Sequence, residues 1–184
     1  MSDHFNEFLV VRGRPQSLPD SIRQVSNLSA GFCRSWLANE LDDAYATSEE
    51  AFGLMDHIQN ELLRHRDAQS KAPTWNTSPL NTALSVTIGK LISPVTPIDK
   101  TAFLGQAIGS GSLPAGAATT PLTLSVALTK LKHRDTNRVN FTVSPPGTHL
   151  LVVFTPSGMG QPDTLCSFDV QEFCSACKAA AQLL

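Results

Sequence analysis

Cys33, His149 and Asp169 are the residues whose types and order suit covalent chemistry. A thiol can attack a carbonyl carbon, an imidazole can move the proton, and a carboxylate can hold the imidazole in one tautomer. Cys33 lies in the run SAGFCRSWL, residues 29–37. A helix starting at Ser26 or Ser29 places this thiol close to the positive end of the helix dipole, which favours the thiolate. Gly31 leaves room for a substrate backbone. Cys33 also falls on an apolar stripe with Leu37 and Leu41, and a buried packing thiol is the competing reading. His149 opens the most hydrophobic stretch of the chain, just after Pro145, Pro146 and Gly147. A strand entry is a rigid place from which to aim a general base; an ordinary strand-end histidine is the alternative. Asp169 closes the following strand, where it either orients His149 or caps the last helix.

The elements that must position these groups read as helices first and strands later. One helix runs from Ser26 or Ser29 to about Tyr45, and a second opens at a T-x-x-E capping box, Thr47 to Glu50, with Phe52, Met55, Ile58 and Leu62 as its buried stripe. Residues 81–92 fit helix or strand, and residues 101–108 fit a short helix. Residues 109–120, GSGSLPAGAATT, read as a loop. Leu122, Leu124, Val126 and Leu128 alternate at the strand period, and residues 139–143, 148–154 and 164–168 read as further strands. Residues 170–184 read as a closing helix. If residues 157–163 turn a hairpin, Asp169 comes to lie beside His149. This order predicts an α+β domain over residues 25–184. Residues 1–24 read as a flexible segment, punctuated by Gly13, Pro15 and Pro19, with residues 8–11 as a possible short strand.

These patches resemble the papain-like cysteine proteases, nearest the YopT-type effector proteases of bacterial type III secretion. The shared features are Gly31-Phe32-Cys33, the strand entry Gly147-Thr148-His149, and Phe168-Asp169. The resemblance implies a papain-like core, a Cys33–His149–Asp169 triad, and cleavage of a host protein after delivery into a host cell. The N-terminus would then act as the export signal. It also implies a polar oxyanion-hole side chain upstream of the cysteine, for which Asn27, Gln24 and Ser29 are candidates. The Cys33 amide would be the other donor. The same triad supports deamidation or acyl transfer. The chain departs from the family after Asp169: the family usually reads Asp-Pro-Asn and then Gly, whereas here Val170, Gln171 and Glu172 follow the aspartate.

Bulk properties restrict the other classes. The 184 residues carry a net charge of −2 and only 16% charged side chains. The one basic cluster, Lys130, Lys132, His133, Arg134 and Arg138, lacks interleaved aromatics, which argues against a nucleic-acid partner. No apolar run reaches the roughly 18 residues of a membrane helix. Met1 to Glu7 is polar and acidic, unlike a secretory signal peptide, so the chain is expected to be cytoplasmic unless exported by another route. Cys166, Cys174 and Cys177, with His149, could form a zinc site, but the second paired motif is missing. All four cysteines read as reduced thiols, with no metal or cofactor and a monomeric state. The rival to an enzyme is an adaptor that binds a partner protein through the Pro-, Ser- and Thr-rich residues 70–121.

Overall fold

A computed structural model describes residues 17–158 and 160–184. Residues 1–16, with the expected strand at 8–11 and the export segment, lie outside the described residues. The remainder of the expected tail does not: Leu18 to Gln24 are the first turns of α1 (Leu18–Leu37). Ser17 caps this helix by accepting from the Asp20 amide, and a proline follows in the first turn. These local signals start the helix at Leu18, eight residues before Ser26 and eleven before Ser29. Ile22, Val25, Ser29, Phe32 and Cys33 form its buried side.

At Asn39 the backbone enters the left-handed region (φ 60°), which asparagine tolerates better than most residues. The chain then returns as α2 (Leu41–Gln69). The expected capping box is not used. Thr47 lies inside α2, where its hydroxyl donates to the Asp43 carbonyl at 2.7 Å. Met55, Ile58 and Leu62 are buried as expected, and Phe52 is half-buried.

After a short turn of helix at Trp75–Thr77 come α3 (Pro79–Leu84) and β1 (Thr87–Ile92). The segment that fitted either helix or strand thus contains one of each. Next are α4 (Pro97–Leu104), the loop through residue 119, and β2 (Thr120–Thr123). The strand expected across Leu122 to Leu128 stops at Thr123, which caps α5 (Leu124–Lys132). Leu124, Ala127, Leu128 and Leu131 are all buried. Their i, i+3, i+4, i+7 spacing is helical, and the alternation that suggested a strand was only the part of it visible at even positions. Then follow β3 (Val139–Ser144), β4 (Thr148–Thr155), β5 (Thr164–Asp169) and α6 (Val170–Ala181).

The five strands form one antiparallel sheet in the order β2-β1-β5-β4-β3. One face packs against the helices: Leu151, Val153, Cys166 and Phe168 share a core with residues of α1, α2, α3, α5 and α6. The other face carries Ile92, Val152, Phe154 and Leu165 under Phe103 of α4 and Leu113. β4 is therefore buried on both sides, as its continuous apolar run implied. The architecture is α+β, with N-terminal helices laid on the sheet.

One glycine leads to a prediction. Gly53 is exposed in mid-α2, and an added Cβ would meet nothing within 4 Å. Gly53→Ala should stabilise the chain by roughly 0.5–1 kcal/mol, the helix-propensity difference, measured by urea unfolding. A loss of stability would show that the helix needs a glycine there.

Candidate functional site

Three of the residues singled out by chemistry gather where α1 crosses the ends of β4 and β5, but each is wired differently from a triad. Cys33 is not at the start of its helix. It is four residues from the end of α1, and its amide is spent inside the helical ladder. The negative end of the dipole opposes a thiolate there. The side chain is 4% exposed. Burial first, then the Asp169 charge, push the thiol above its ordinary value, against a smaller lowering by its own backbone amide. The thiol donates to the Gly147 carbonyl at 3.8 Å. The Cys33 amide cannot therefore serve as the expected oxyanion donor.

His149 is buried at the entry to β4, facing α1. Its Nδ1 shares a hydrogen bond with the Ser29 hydroxyl at 3.0 Å. Phe32 stacks on the imidazole, with centroids 4.7 Å apart, and Phe141 of β3 stands edge-on to Phe32 at 4.8 Å. Burial lowers the His149 pKa to about 4, only partly opposed by the Asp169 charge. The ring is neutral at pH 7 and bonded to a serine.

The hairpin expected to bring Asp169 beside His149 forms, but its register differs by one residue. Asp169 pairs with Leu150. Directly paired residues share a face and neighbours alternate, so Asp169 and His149 belong to opposite faces. The Asp169 carboxylate instead accepts from the Gln171 and Glu172 amides at 2.8 and 3.0 Å, capping α6. Its charge still acts on Cys33, His149 and Cys174.

The oxyanion candidates do not converge on the thiol. Asn27 is exposed, and two helical positions, about 200°, separate it from Ser29. Gln24 is nine positions from Cys33, about half a turn out of phase on the helix. Ser29 faces the site, but as the partner of His149. Cys166, Cys174 and Cys177 are buried free thiols, and burial raises all three above the usual value. Among the described residues no group of three or more His, Cys, Asp or Glu side chains is placed to hold a metal ion.

Beside the Ser29–His149 pair lies a cavity of about 510 Å³ between α1, α2 and the β3–β4 edge. Val25, Phe32, Phe52, Phe141 and Leu151 make its apolar walls, and Ser29 and His149 line part of it. Arg134 reaches it from the end of α5, bound by both guanidinium nitrogens to Asp56 at 2.6 and 3.0 Å and lying 5.0 Å over the Phe52 ring. Tyr45 and Glu49 line it as well, joined by a 2.8 Å hydrogen bond. Sequence reasoning singled out His149 and Ser29 but not this cavity. The available signal was the placement of aromatic residues, one on α1, two on α2 and one on β3, but only the tertiary fold shows that they meet.

No helix among the described residues is long and apolar enough to cross a membrane. Compared with family models, curated proteins and solved structures, the chain matches none.

Proposed function

We propose that this chain works by binding: the cavity between α1, α2 and the β3–β4 edge receives an anchoring group of a partner protein. The observation that carries this reading is the cavity itself. About 510 Å³ of space with aromatic and aliphatic walls and a few fixed polar groups is the usual form of a recognition site. Its walls belong to packed helices and strands, so little ordering cost falls on the protein when the anchor enters. The polar pair inside is already satisfied, and it can accept or donate to a ligand without rearranging the core.

The test uses a plug. Gly53 lines the cavity, and its missing side chain leaves open space. Gly53→Phe should fill the cavity without costing stability. In an NMR titration with benzyl alcohol as a neutral probe, the wild-type chain should show shifts at Ser29, Phe32, Phe141 and His149. The plugged variant should show none. Shifts that persist after plugging, or their absence in the wild type, would overturn the reading.

A second reading, a papain-type thiol hydrolase acting on a host protein, has one specific observation in its favour. The Cys33 thiol lies 3.8 Å from the Gly147 carbonyl, two residues before His149, and the Asp169 charge acts on both groups. In this reading a rotation would release His149 from Ser29 towards the thiol. Iodoacetamide labelling near pH 7 separates the two. Binding alone predicts that Cys33 labels no faster than a free thiol and that His149→Ala does not slow it. Fast labelling that depends on His149 would establish the hydrolase instead.

A further inference from the structure

We infer that the anchor is basic: an arginine- or lysine-bearing segment of the partner protein, with one cationic side chain inside the cavity. This rests on the binding reading above and adds the chemistry of what binds.

The first observation is the charge of the cavity wall. Glu49 and Asp56 bring two carboxylates and Arg134 one guanidinium, while His149 is neutral. Arg134 is consumed by its two-pronged bond to Asp56. Among the described residues Glu49 meets only the Tyr45 hydroxyl and has no ion-pair partner. Among the described residues the wall therefore carries one uncompensated negative charge. Its aromatic rings are the second element. Phe52 already holds a guanidinium over one face, and Tyr45, Phe32 and Phe141 offer further π-surface to a cation.

The third observation reaches beyond the cavity. Between Arg34 and Arg64 the chain has no lysine or arginine but seven carboxylates. Asp56 and Glu61 are paired with Arg134 and Arg64. The other five, Glu40, Asp42, Asp43, Glu49 and Glu50, have no ion-pair partner among the described residues. Asp42 and Asp43 favour the α2 N-terminus, but the helix needs no such run. From residue 40 to residue 49 the acidic stretch extends about 14 Å along the helix. That is longer than one small amine and suits several basic side chains of an extended segment. The field steers such a segment to the cavity mouth, an effect that weakens with salt.

The experiment titrates the full chain with three probes, observed by NMR at Ser29, Phe32 and Phe141. They are the peptide Ac-Gly-Arg-Gly-Arg-Gly-NH2, the same peptide with citrulline in place of arginine, and benzylamine as a free amine. At low salt the arginine peptide should bind at least about tenfold tighter than the citrulline peptide, and tighter than benzylamine. Glu49→Gln should bring the ratio of the two peptides to within about twofold, and high salt should reduce it similarly. Equal binding of both peptides would overturn the basic anchor while leaving the binding reading intact. Benzylamine binding as tightly as the arginine peptide would overturn the protein-borne source. If no probe, including the neutral benzyl alcohol, moves a cavity resonance, the binding reading itself falls.

Discussion

Lowering the pH from 7 to 4 is expected to remove about 3 kcal/mol of stability through His149 alone. The imidazole is buried between α1 and β3, stacked on Phe32 and bonded through Nδ1 to Ser29. Burial lowers its pKa from 6.5 to about 4, and the Asp169 charge offsets only part of that. The unfolded chain therefore binds a proton near pH 6.5, while the folded chain does so only near pH 4. Between those values the unfolded state holds more protons, so stability rises with pH. The contribution is fully present above pH 6.5, falls as the pH drops through the window, and is gone below about 4. A difference of about 2.5 pK units corresponds to about 3 kcal/mol at roughly 1.4 kcal/mol per unit. Urea unfolding at pH 7, 5.5 and 4 measures it. His149→Gln keeps a polar partner for Ser29 but cannot titrate. The difference between wild type and variant isolates His149 from the carboxylates, several of which also lose stabilising partners in acid. Parallel pH dependence in the two proteins would show that folding does not lower the pKa of the imidazole.

The same histidine shows how far the sequence could be read. Its place at the entry of a doubly buried strand was legible, because nothing but a core strand accommodates so continuous an apolar run. The β4–β5 hairpin was legible too, and so was the capping role of Asp169. What was not legible was parity. Whether Asp169 faces His149 or the other side of the sheet depends on a register offset of one residue, set by the turn and by packing on both faces. Cys33 failed for a related reason. Ser26 and Ser29 were plausible caps, but Ser17, with a proline behind it, is a better one. Moving the helix start from Ser26 or Ser29 to Leu18 carries the thiol from the positive end of the dipole to the negative end. A shift of eight or eleven residues in where the helix begins thus reverses the sign of the dipole at the thiol. The cavity was out of reach, since it exists only once four aromatic side chains from three elements have been brought together. The acidic run from Glu40 to Glu50, by contrast, is plain in the sequence, while the cavity that Glu49 lines is visible only in the fold.

Gly89→Ala is expected to cost about 3 kcal/mol, the upper range for overpacking, although the same substitution at Gly53 should be stabilising. Gly89 sits within the sheet, opposite Phe168 on β5 and Leu122 on β2. A Cβ there would collide with the Ser167 carbonyl oxygen and press against Phe168 at 3.0–3.1 Å. Ser167 is a backbone neighbour, so no side-chain rotation relieves the clash. The pairing of β1 with β2 already shifts between Thr87 and Gly89, and an irregularity of this kind is where a strand tolerates least extra bulk. The strands must separate or β1 must slide, and a slide would turn Ile88 and Ile92 out of their cores. For a chain of this length, a loss of about 3 kcal/mol lowers Tm by roughly 6–12 °C. Calorimetry on Gly89→Ala, Gly53→Ala and the double variant measures both effects, which should add because the two sites lie in different elements without shared partners. A Gly89→Ala chain melting within a degree of wild type would overturn the close approach of β1 to the Ser167 carbonyl on β5.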